Sequence, residues 1–360
     1  MIITKFLCLY LDIIIVMLDD LKFLNEKDPS ATLDIALKEW TQLQYNFNYK
    51  SSLDSSKIKN IVFAGMGGSA LAALISKSFP GYRIPFEVVR DYLIPDYVNE
   101  NTLFIASSYS GNTEETLSAL ELALKTKAQI IVLCSGGALQ KIAQEKGLDL
   151  ILIPSGLQPR YSVFYGLRAI LEILTELKLC DADKLEQFIK ASDFIKESAR
   201  NWASEVRTSA NLAKQIAQDT SGKSVVIYGG NLFAQVAYKW KISFNENAKQ
   251  VAWWNQFSEF NHNEFIGWTK QPVIKPYCVI EIISDRELPQ ILKRFELSNK
   301  LLSGNMPRPI IIKPKGSNLI EEILYAINLG DFVSLYSAIL NGVNPEPVDL
   351  IEKFKKELAK

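Results

Sequence analysis

One pattern of strand, glycine turn and helix occurs twice in this chain. Residues 59–79, KNIVFAGMGGSALAALISKSF, can be laid beside residues 223–244, KSVVIYGGNLFAQVAYKWKISF. Each copy has an apolar run, a turn rich in glycine and a helical pattern that ends in an aromatic residue. A duplication of this kind implies two units of similar topology. The repeat therefore predicts two α/β domains.

Apolar runs typical of strands alternate with helical patterns from residue 60 onwards. The predicted strands cover residues 61–64, 86–89, 102–106, 129–133, 150–153, 278–283 and 309–312. Helices are predicted between them, including 70–78 and 114–125, and a long helical connector begins at residue 167. This alternation predicts doubly wound domains, in each of which a parallel sheet is flanked by helices.

The composition is that of a globular protein and excludes several function classes. The 360 residues are 48% hydrophobic with a net charge of +0, which allows two domains and gives no basic excess for binding nucleic acid. The four cysteines lie far apart without a C-x-x-C pair, and His262 is the only histidine. We therefore expect reduced thiols in a cytoplasmic protein, with no metal site.

Residues 1–16 form an apolar run that is interrupted by Asp12. The run is marginal in length for a membrane span and lacks an obvious cleavage site. Met17 then begins a stretch typical of the start of a soluble protein. We interpret residues 1–16 as a non-native upstream extension, with a signal anchor as the alternative, and expect no membrane partner.

The stretch SSYSGNTEET follows the third predicted strand, where a parallel sheet binds its ligands. The helix that comes next presents unpaired N–H groups and the positive end of its dipole, which attract anions. Ser108, Ser110 and Thr113 would add hydroxyl donors, Gly111 permits close approach of the backbone, and Ser69 could contribute from the neighbouring glycine turn. This set of donors suits a phosphate monoester.

Two other interpretations of these turns remain open. Thr113 could simply cap the following helix, as Ser and Thr commonly do. The turn GMGGSA also fits a loose dinucleotide-binding pattern, with Glu87 as a possible ribose ligand, and would then indicate an oxidoreductase. The second half of the chain has Ser284, Asp285, Arg286 and Glu287 in the place of the hydroxyl loop.

Together these residues resemble the sugar isomerase (SIS) domain, of which S-Y-S-G-N-T is a specific phosphate-loop form. The likeness continues through GLQPR at 156–160, NENAK at 245–249, EFNHNE at 259–264, LGD at 329–331 and PEPV at 345–348. From Met17 to its end the chain resembles the bifunctional phosphoglucose/phosphomannose isomerase family of archaea and some bacteria. The resemblance implies two SIS-type doubly wound domains.

The resemblance also implies an activity. The chain is expected to interconvert glucose 6-phosphate, and mannose 6-phosphate, with fructose 6-phosphate through a cis-enediol, without a metal or an organic cofactor. It is expected to form a cytoplasmic homodimer in which His262 reaches the partner's active site. The alternative is a non-catalytic SIS regulator that binds sugar phosphates. The presence of both Glu246 and His262 favours the enzyme.

Carried over by position, the resemblance assigns four catalytic residues. Glu246 would be the base, His262 would open the sugar ring, Arg160 would lie near the enediolate, and Lys353 would match a C-terminal active-site lysine. The implied phosphate-binding residues are Gly68, Ser69, Ser108, Ser110 and Thr113.

These assignments leave three questions open. His262 could instead be a structural residue held by Asn261 or Asn263. Lys355 could match the C-terminal lysine of the family instead of Lys353, so the alignment at this position stays open. Several family members carry threonine where this chain has Glu346, which puts the activity on mannose 6-phosphate in question.

The same reasoning predicts six segments along the chain. They are the extension at 1–16, an N-terminal helical segment at 17–55, a first SIS domain at 56–165 that binds phosphate, a helical connector at 166–220, a second SIS domain at 221–345 that carries the catalytic Glu and His, and a C-terminal helix at 346–360.

Overall fold

The structure is a computed structural model and describes residues 17–79, 81–270 and 276–358. The predicted extension at 1–16, and Cys8 with it, lies outside the described residues. The chain divides into a first unit, Glu39–Asp193, and a second unit, Met1–Lys38 with Phe194–Lys360. The six predicted segment boundaries stay a prediction. Cys134, Cys180 and Cys278 are buried free thiols.

Strands and helices alternate along most of the described chain. The strands are β1 Asn60–Gly65, β2 Phe86–Val89, β3 Thr102–Ser108, β4 Gln129–Cys134, β5 Asp149–Leu152, β6 Ser224–Gly229, β7 Ala252–Gln256, β8 Tyr277–Ile282 and β9 Ile310–Ile312. The α-helices are α1 Leu21–Lys27, α2 Thr32–Lys38, α3 Trp40–Gln44, α4 Gly67–Ser76, α5 Glu114–Ala123, α6 Gly137–Lys146, α7 Val163–Glu176, α8 Asp183–Arg200, α9 Leu212–Thr220, α10 Ala234–Glu246, α11 Glu264–Gly267, α12 Pro289–Leu301, α13 Leu319–Leu340 and α14 Asp349–Leu358. Short 3-10 helices cover Ser55–Lys57, Pro159–Tyr161, Thr208–Ala210, Glu259–His262 and Trp268–Lys270.

The first unit contains a five-stranded parallel sheet in the order β2-β1-β3-β4-β5. Its central strand β3 is buried along its whole length, because helices cover both faces. The register pairs Gly65 with Ser107, so the turns after β1 and β3 leave the same edge of the sheet side by side. The α/β prediction with parallel sheets flanked by helices is confirmed.

The second unit contains a four-stranded parallel sheet in the order β7-β6-β8-β9. The chain moves in one direction across the sheet from β6 to β7, and in the opposite direction from β7 to β8 and from β8 to β9. Because such crossovers are right-handed, α10 covers one face, whereas α12 and the segment between β7 and β8 cover the other. An aromatic cluster that includes Tyr228, Phe257, Phe260 and Phe295 fills the α12 face.

Helix α13 forms the core of the second unit and packs against α9 and α10. It is long and apolar enough to cross a membrane by length and composition alone, but 94% of its most apolar window is buried inside the protein. A Cβ added at Gly330 would lie 2.2 Å from Trp240 Nε1, so α13 and α10 approach closely there. Beside this contact Lys239 forms a buried ion pair with Asp331.

Glu281 is a buried acid inside the second sheet. It lies on β8 with no solvent exposure, and its Oε2 accepts a hydrogen bond of 2.8 Å from Asn299 Nδ2 on α12. Burial raises the pKa of Glu281 from 4.5 to about 7, against the smaller lowering by Asn299. The folded protein therefore holds a proton on Glu281 that the unfolded chain releases at lower pH.

This pKa shift predicts a pH-dependent stability. Because the folded pKa is the higher one, the stabilisation is complete below pH 4.5 and is lost as the pH rises through about 7. Glu281→Gln cannot ionise at this position. Its free energy of unfolding, relative to that of the parent, should therefore increase by about 2–3 kcal/mol between pH 5 and pH 8. Urea unfolding at the two pH values measures this difference.

The control is Glu296→Gln, which changes an exposed glutamate on α12. It should leave the pH dependence unchanged. The same pH dependence in Glu281→Gln and in the parent would contradict the prediction.

Candidate functional site

Three hydroxyls of the SSYSGNTEET loop converge where β3 ends. Ser108 is buried, and its Oγ lies 2.7 Å from Thr113 Oγ1 and 3.4 Å from Ser110 Oγ. The N–H of Gly111 donates to Ser108 Oγ at 3.1 Å, which bends the loop around this side chain. Ser110 is exposed and Thr113 is half-buried, so the cluster opens to solvent on one side.

Thr113 precedes α5 but does not cap it. Within the described residues its side chain makes no cap hydrogen bond, and its hydroxyl lies against Ser108 instead. Met66, which precedes α4, also provides no side-chain cap. The capping interpretation of Thr113 is therefore wrong. The first turns of two neighbouring helices keep main-chain N–H groups that an anion could satisfy.

Ser69 joins the glycine turn to the hydroxyl loop. It is the third residue of α4, and its Oγ accepts a hydrogen bond of 2.9 Å from the N–H of Tyr109. A Cβ at Gly65 would lie 2.8 Å from the Ser107 carbonyl oxygen, so the two turns pack without room for a side chain. The structure thus brings Ser69 to the three loop hydroxyls.

A third glycine turn, after β4, packs against the hydroxyl loop. Gly111 has a φ of +69°, and a Cβ there would lie 1.8 Å from the Gly136 carbonyl oxygen. Asn112 Oδ1 accepts a hydrogen bond of 2.9 Å from the N–H of Ala138. The sequence analysis missed this contact. The signal for it was Ser135-Gly136-Gly137 directly after a predicted strand.

Arg160 lies beside the glycine turn. A Cβ at Gly68 would come within 2.8 Å of the Pro159 carbonyl carbon, so Gly68 packs directly against the residue before Arg160. Arg160 is 1% exposed, and its Cζ lies 4.6 Å from the ring centroid of Tyr161. The first unit thus holds Arg160 together with all five predicted phosphate-binding residues.

Tyr109 was also missed by the sequence analysis. Its hydroxyl donates to the Pro154 carbonyl at 2.9 Å and accepts from the N–H of Leu157 at 3.0 Å. These bonds tie the segment that leads to Arg160 to the hydroxyl loop. Burial raises the pKa of the Tyr109 hydroxyl, so this hydroxyl stays protonated and keeps its donor role at neutral pH.

Glu246 lies in the second unit as the last residue of α10 and is half-buried. Lys249, three residues on, donates from its Nζ to the carbonyls of Glu246 at 2.9 Å, Asn344 at 2.8 Å and Pro345 at 3.1 Å. A cation on the last carbonyls of a helix is favourable. Lys249, which the sequence analysis did not single out, thereby fixes the turn after Glu246 to the loop that contains Glu346.

His262 is exposed at the end of the 3-10 helix Glu259–His262, with no hydrogen-bond partner in the parts of the chain that the structure describes. The neighbouring amides are engaged elsewhere. Asn261 contacts Ser298 Oγ at 2.8 Å, and Asn263 contacts Glu259 at 2.6 Å. The interpretation of His262 as a structural residue held by these amides is therefore wrong.

Glu246 and His262 lie on two different crossovers of the second sheet. Glu246 ends α10, on one face of the second sheet. The segment that carries His262 packs on α12, on the other face, where the rings of Phe257 and Phe295 stack at 3.9 Å between centroids and Arg294 donates to Asn261 at 3.2 Å.

Lys353 lies on α14 with its side chain exposed. Lys355, the competing candidate, forms an exposed ion pair with Glu352 at 2.8 Å. Exposed pairs of this kind contribute little, so the ion pair does not exclude Lys355 from a site. The choice between Lys353 and Lys355 stays a prediction.

Comparison with known proteins identifies the family to which the chain belongs. The SIS domain model matches residues 55–156, and the model of the bacterial phospho-glucose isomerase C-terminal SIS domain matches residues 209–358. A bifunctional phosphoglucose/phosphomannose isomerase of Thermoplasma volcanium is 37% identical over 322 residues, which cover 89% of this chain and 99% of that protein. The chain belongs to the bifunctional phosphoglucose/phosphomannose isomerase family. The resemblance identified from the motifs is confirmed.

Two further relatives show how far the family extends. A D-glucosamine-6-phosphate 4-epimerase of Sulfolobus acidocaldarius is 31% identical over 83% of this chain and 89% of that protein. The crystal structure of a phosphosugar isomerase homologue from Clostridium difficile has a TM-score of 0.68 at 16% identity, over 91% of this chain and 97% of that chain. This likeness shows the fold alone. Membership of the isomerase family favours the phosphate interpretation of GMGGSA over the dinucleotide one.

No group of three or more His, Cys, Asp or Glu side chains in the described ranges is arranged to hold a metal ion. The polar groups that the first unit of this family member brings together are hydroxyls, main-chain N–H groups and one guanidinium. These are neutral or cationic donors, and they suit a phosphate rather than a cation.

The Gly111 contact predicts a loss of ligand binding on substitution. Gly111→Ala places a Cβ 1.8 Å from the Gly136 carbonyl oxygen, which must push the hydroxyl loop away from the third turn. We expect affinity for a hexose 6-phosphate, measured by titration calorimetry, to fall by about tenfold or more.

Gly147→Ala is the matched control, because Gly147 also has a positive φ, +63°, but nothing lies within 4 Å of the added Cβ. It should cost about 1 kcal/mol of stability and leave binding unchanged. Equal weakening by both substitutions would mean that backbone strain, and not loop displacement, is responsible.

Proposed function

We propose that the protein is an aldose–ketose isomerase that interconverts glucose 6-phosphate, and also mannose 6-phosphate, with fructose 6-phosphate. The observation that carries the proposal is the hydroxyl cluster of Ser108, Ser110 and Thr113, at a helix start without a side-chain cap and in the same unit as the buried Arg160. Several relatives at 33–37% identity over most of the chain bear the names of both activities, which supports both substrates.

The phosphate would bind at the turns after β1 and β3. Ser69, Ser108, Ser110 and Thr113 supply hydroxyl donors, and Gly68 lets the helix start come close. This holds the unreactive end of the sugar, so the binding energy of the phosphate positions C1 and C2 for reaction.

Glu246 is proposed to carry the proton between C2 and C1 through a cis-enediol intermediate. A carboxylate can serve both carbons because it is ionised at neutral pH and close to both positions in turn. Negative charge develops on the enediolate oxygens, and the guanidinium of Arg160 would stabilise that charge more than it stabilises the substrate. The contacts of Lys249 support this role, since they fix the turn that carries Glu246.

His262 is proposed to open the pyranose ring, which requires a proton on O5 and removal of one from the C1 hydroxyl. An imidazole exchanges protons near neutral pH, and His262 is exposed and unengaged among the described residues. Lys353 would add positive charge near the sugar. This scheme uses the chain's own side chains at each step and needs no metal or organic cofactor.

We propose a homodimer, as the family resemblance implies. Glu246 and His262 lie on crossovers that cover opposite faces of the second sheet, which supports an active site that takes the two groups from two chains. A two-fold dimer provides this arrangement twice, with Glu246 of each chain beside His262 of the other. We propose this dimer as a cytoplasmic enzyme without nucleic-acid or membrane partners.

The function is tested by a coupled assay on protein treated with EDTA, run in parallel with glucose 6-phosphate and mannose 6-phosphate. We expect fructose 6-phosphate from both. Glu246→Gln should lose kcat by at least about a thousandfold with sugar-phosphate affinity retained, because only the proton transfer is removed.

Other results of the coupled assay would contradict or narrow the proposal. Binding without turnover would contradict the enzyme and favour a regulator, and conversion at C4 alone would favour the chemistry named for the Sulfolobus relative. Product from glucose 6-phosphate only would point to Glu346, whose loop Lys249 ties to Glu246.

The dimer is tested by complementation. Glu246→Gln and His262→Asn protein, each inactive alone, are unfolded together and refolded as a mixture. If the two groups act across the dimer, a mixed dimer contains one intact site and one site that lacks both groups, so a random mixture should regain about one quarter of the parent activity. Refolding each variant alone is the control. A mixture that stays inactive would place both groups in the same chain.

A further inference from the structure

The turn after β8 is the counterpart of the hydroxyl loop. Gly65 at the end of β1 pairs with Ser107 of β3, and Gly229 at the end of β6 pairs with Ile282 of β8. The next helices, α5 and α12, begin at the same distance from these pairs. Counting from them gives the residues that replace the three hydroxyls, namely Ile283 for Ser108, Asp285 for Ser110 and Leu288 for Thr113.

The glycine turn of the second unit nevertheless encloses a carboxyl group. Glu287 is 4% exposed, and its Oε1 accepts a hydrogen bond of 2.9 Å from the N–H of Leu232. Burial raises the pKa of Glu287 above its ordinary value, and the N–H groups of Leu232, Asn231 and Phe233 offset only part of this rise. A Cβ at Gly230 would lie 2.3 Å from Oε1, so this turn is shaped closely around a carboxylate.

The second oxygen of the Glu287 carboxyl group shows how it is held. Among the described residues its second oxygen, Oε2, makes no hydrogen bond. The neighbouring Arg286 is directed elsewhere, since its Nε donates to Glu322 at 2.8 Å and its Nη2 to the Ser317 carbonyl at 2.8 Å. Glu287 is therefore held by main-chain N–H groups of a strand-to-helix turn, the donor type that binds phosphate at such turns.

We infer that the glycine turn after β6 is an anion-binding site for a phosphate or a small carboxylate, closed in this protein by the side chain of Glu287. The first unit leaves its equivalent turn open and surrounds it with hydroxyls, whereas the second unit fills its turn from its own chain. Of these two turns, the one in the first unit is therefore the candidate for binding the phosphate of a substrate. This inference does not rest on the isomerase activity.

Removal of the side chain should open the site. Glu287→Ala leaves the N–H groups and adds a cavity of carboxylate size, so sodium acetate and inorganic phosphate should stabilise this variant against heat. At constant ionic strength the midpoint of unfolding should rise by about 3–6 °C at a concentration tenfold above Kd. Acetate should not stabilise the parent in this way, nor Glu287→Gln, which keeps the turn filled.

Two controls separate an anion site from a simple cavity. Acetamide has the shape of acetate without its charge and should stabilise Glu287→Ala much less. Glu281→Ala removes another buried glutamate of the same sheet, which accepts its hydrogen bond from a side-chain amide, and acetate should not rescue it.

Three results would overturn the inference. They are a folded Glu287→Ala protein that neither acetate nor phosphate stabilises, equal stabilisation by acetamide, and saturable binding of acetate by the parent at the same turn. If Glu287→Ala does not fold in chloride, folding in acetate but not in acetamide supports the inference, and failure in both contradicts it. Because these measurements use binding and unfolding, their outcome is independent of any turnover.

Discussion

The main-chain N–H groups at the two glycine turns are the constraint around which both units are organised. A parallel strand that enters a helix through a tight turn leaves N–H groups without carbonyl partners, and they must be satisfied by a ligand, by water or by the chain itself. In the first unit the hydroxyls of Ser108, Ser110 and Thr113 gather beside open helix starts. In the second unit Glu287 fills the turn. The two copies of the turn thus have different groups beside the same kind of unpaired main-chain N–H, hydroxyls in the first unit and a carboxyl group in the second.

Close packing in the second unit holds α10 in place. The buried ammonium of Lys239 contacts Asp331 and Ser243 Oγ, so loss of either charge would leave the other buried and unpaired. Along the same two helices Trp240 Nε1 donates to the Ala326 carbonyl at 2.7 Å. These contacts leave little freedom for α10 to slide along α13, and they fix where the helix ends. The position of Glu246 is therefore set by the core of its unit.

Periodicity and turn chemistry predicted the loop hydroxyls and most strands, though not β7, because both signals depend on neighbours in sequence. The predicted strand at 86–89 coincides with β2, and helix α4 begins at Gly67, earlier than expected, because the glycine turn itself enters the first helical turn. The contacts that the sequence analysis missed join distant segments. Gly111 meets Gly136, Lys249 meets Asn344, and Glu287 meets Leu232. Contacts between such distant residues leave no periodic pattern in the sequence. The capping interpretation of Thr113 failed for a different reason, because the loop folds back and places the hydroxyl of Thr113 against Ser108, five residues earlier.

The two catalytic groups proposed for the second unit lie on crossovers that run in opposite directions across its sheet. From β6 to β7 the chain passes over one face and ends its helix with Glu246; from β7 to β8 it passes over the other face and carries His262. Right-handed crossovers in opposite directions place their helices on opposite faces of the sheet. The proposed dimer suits this topology, because a second copy related by a two-fold axis could present the face with His262 to the end of α10 without altering either fold.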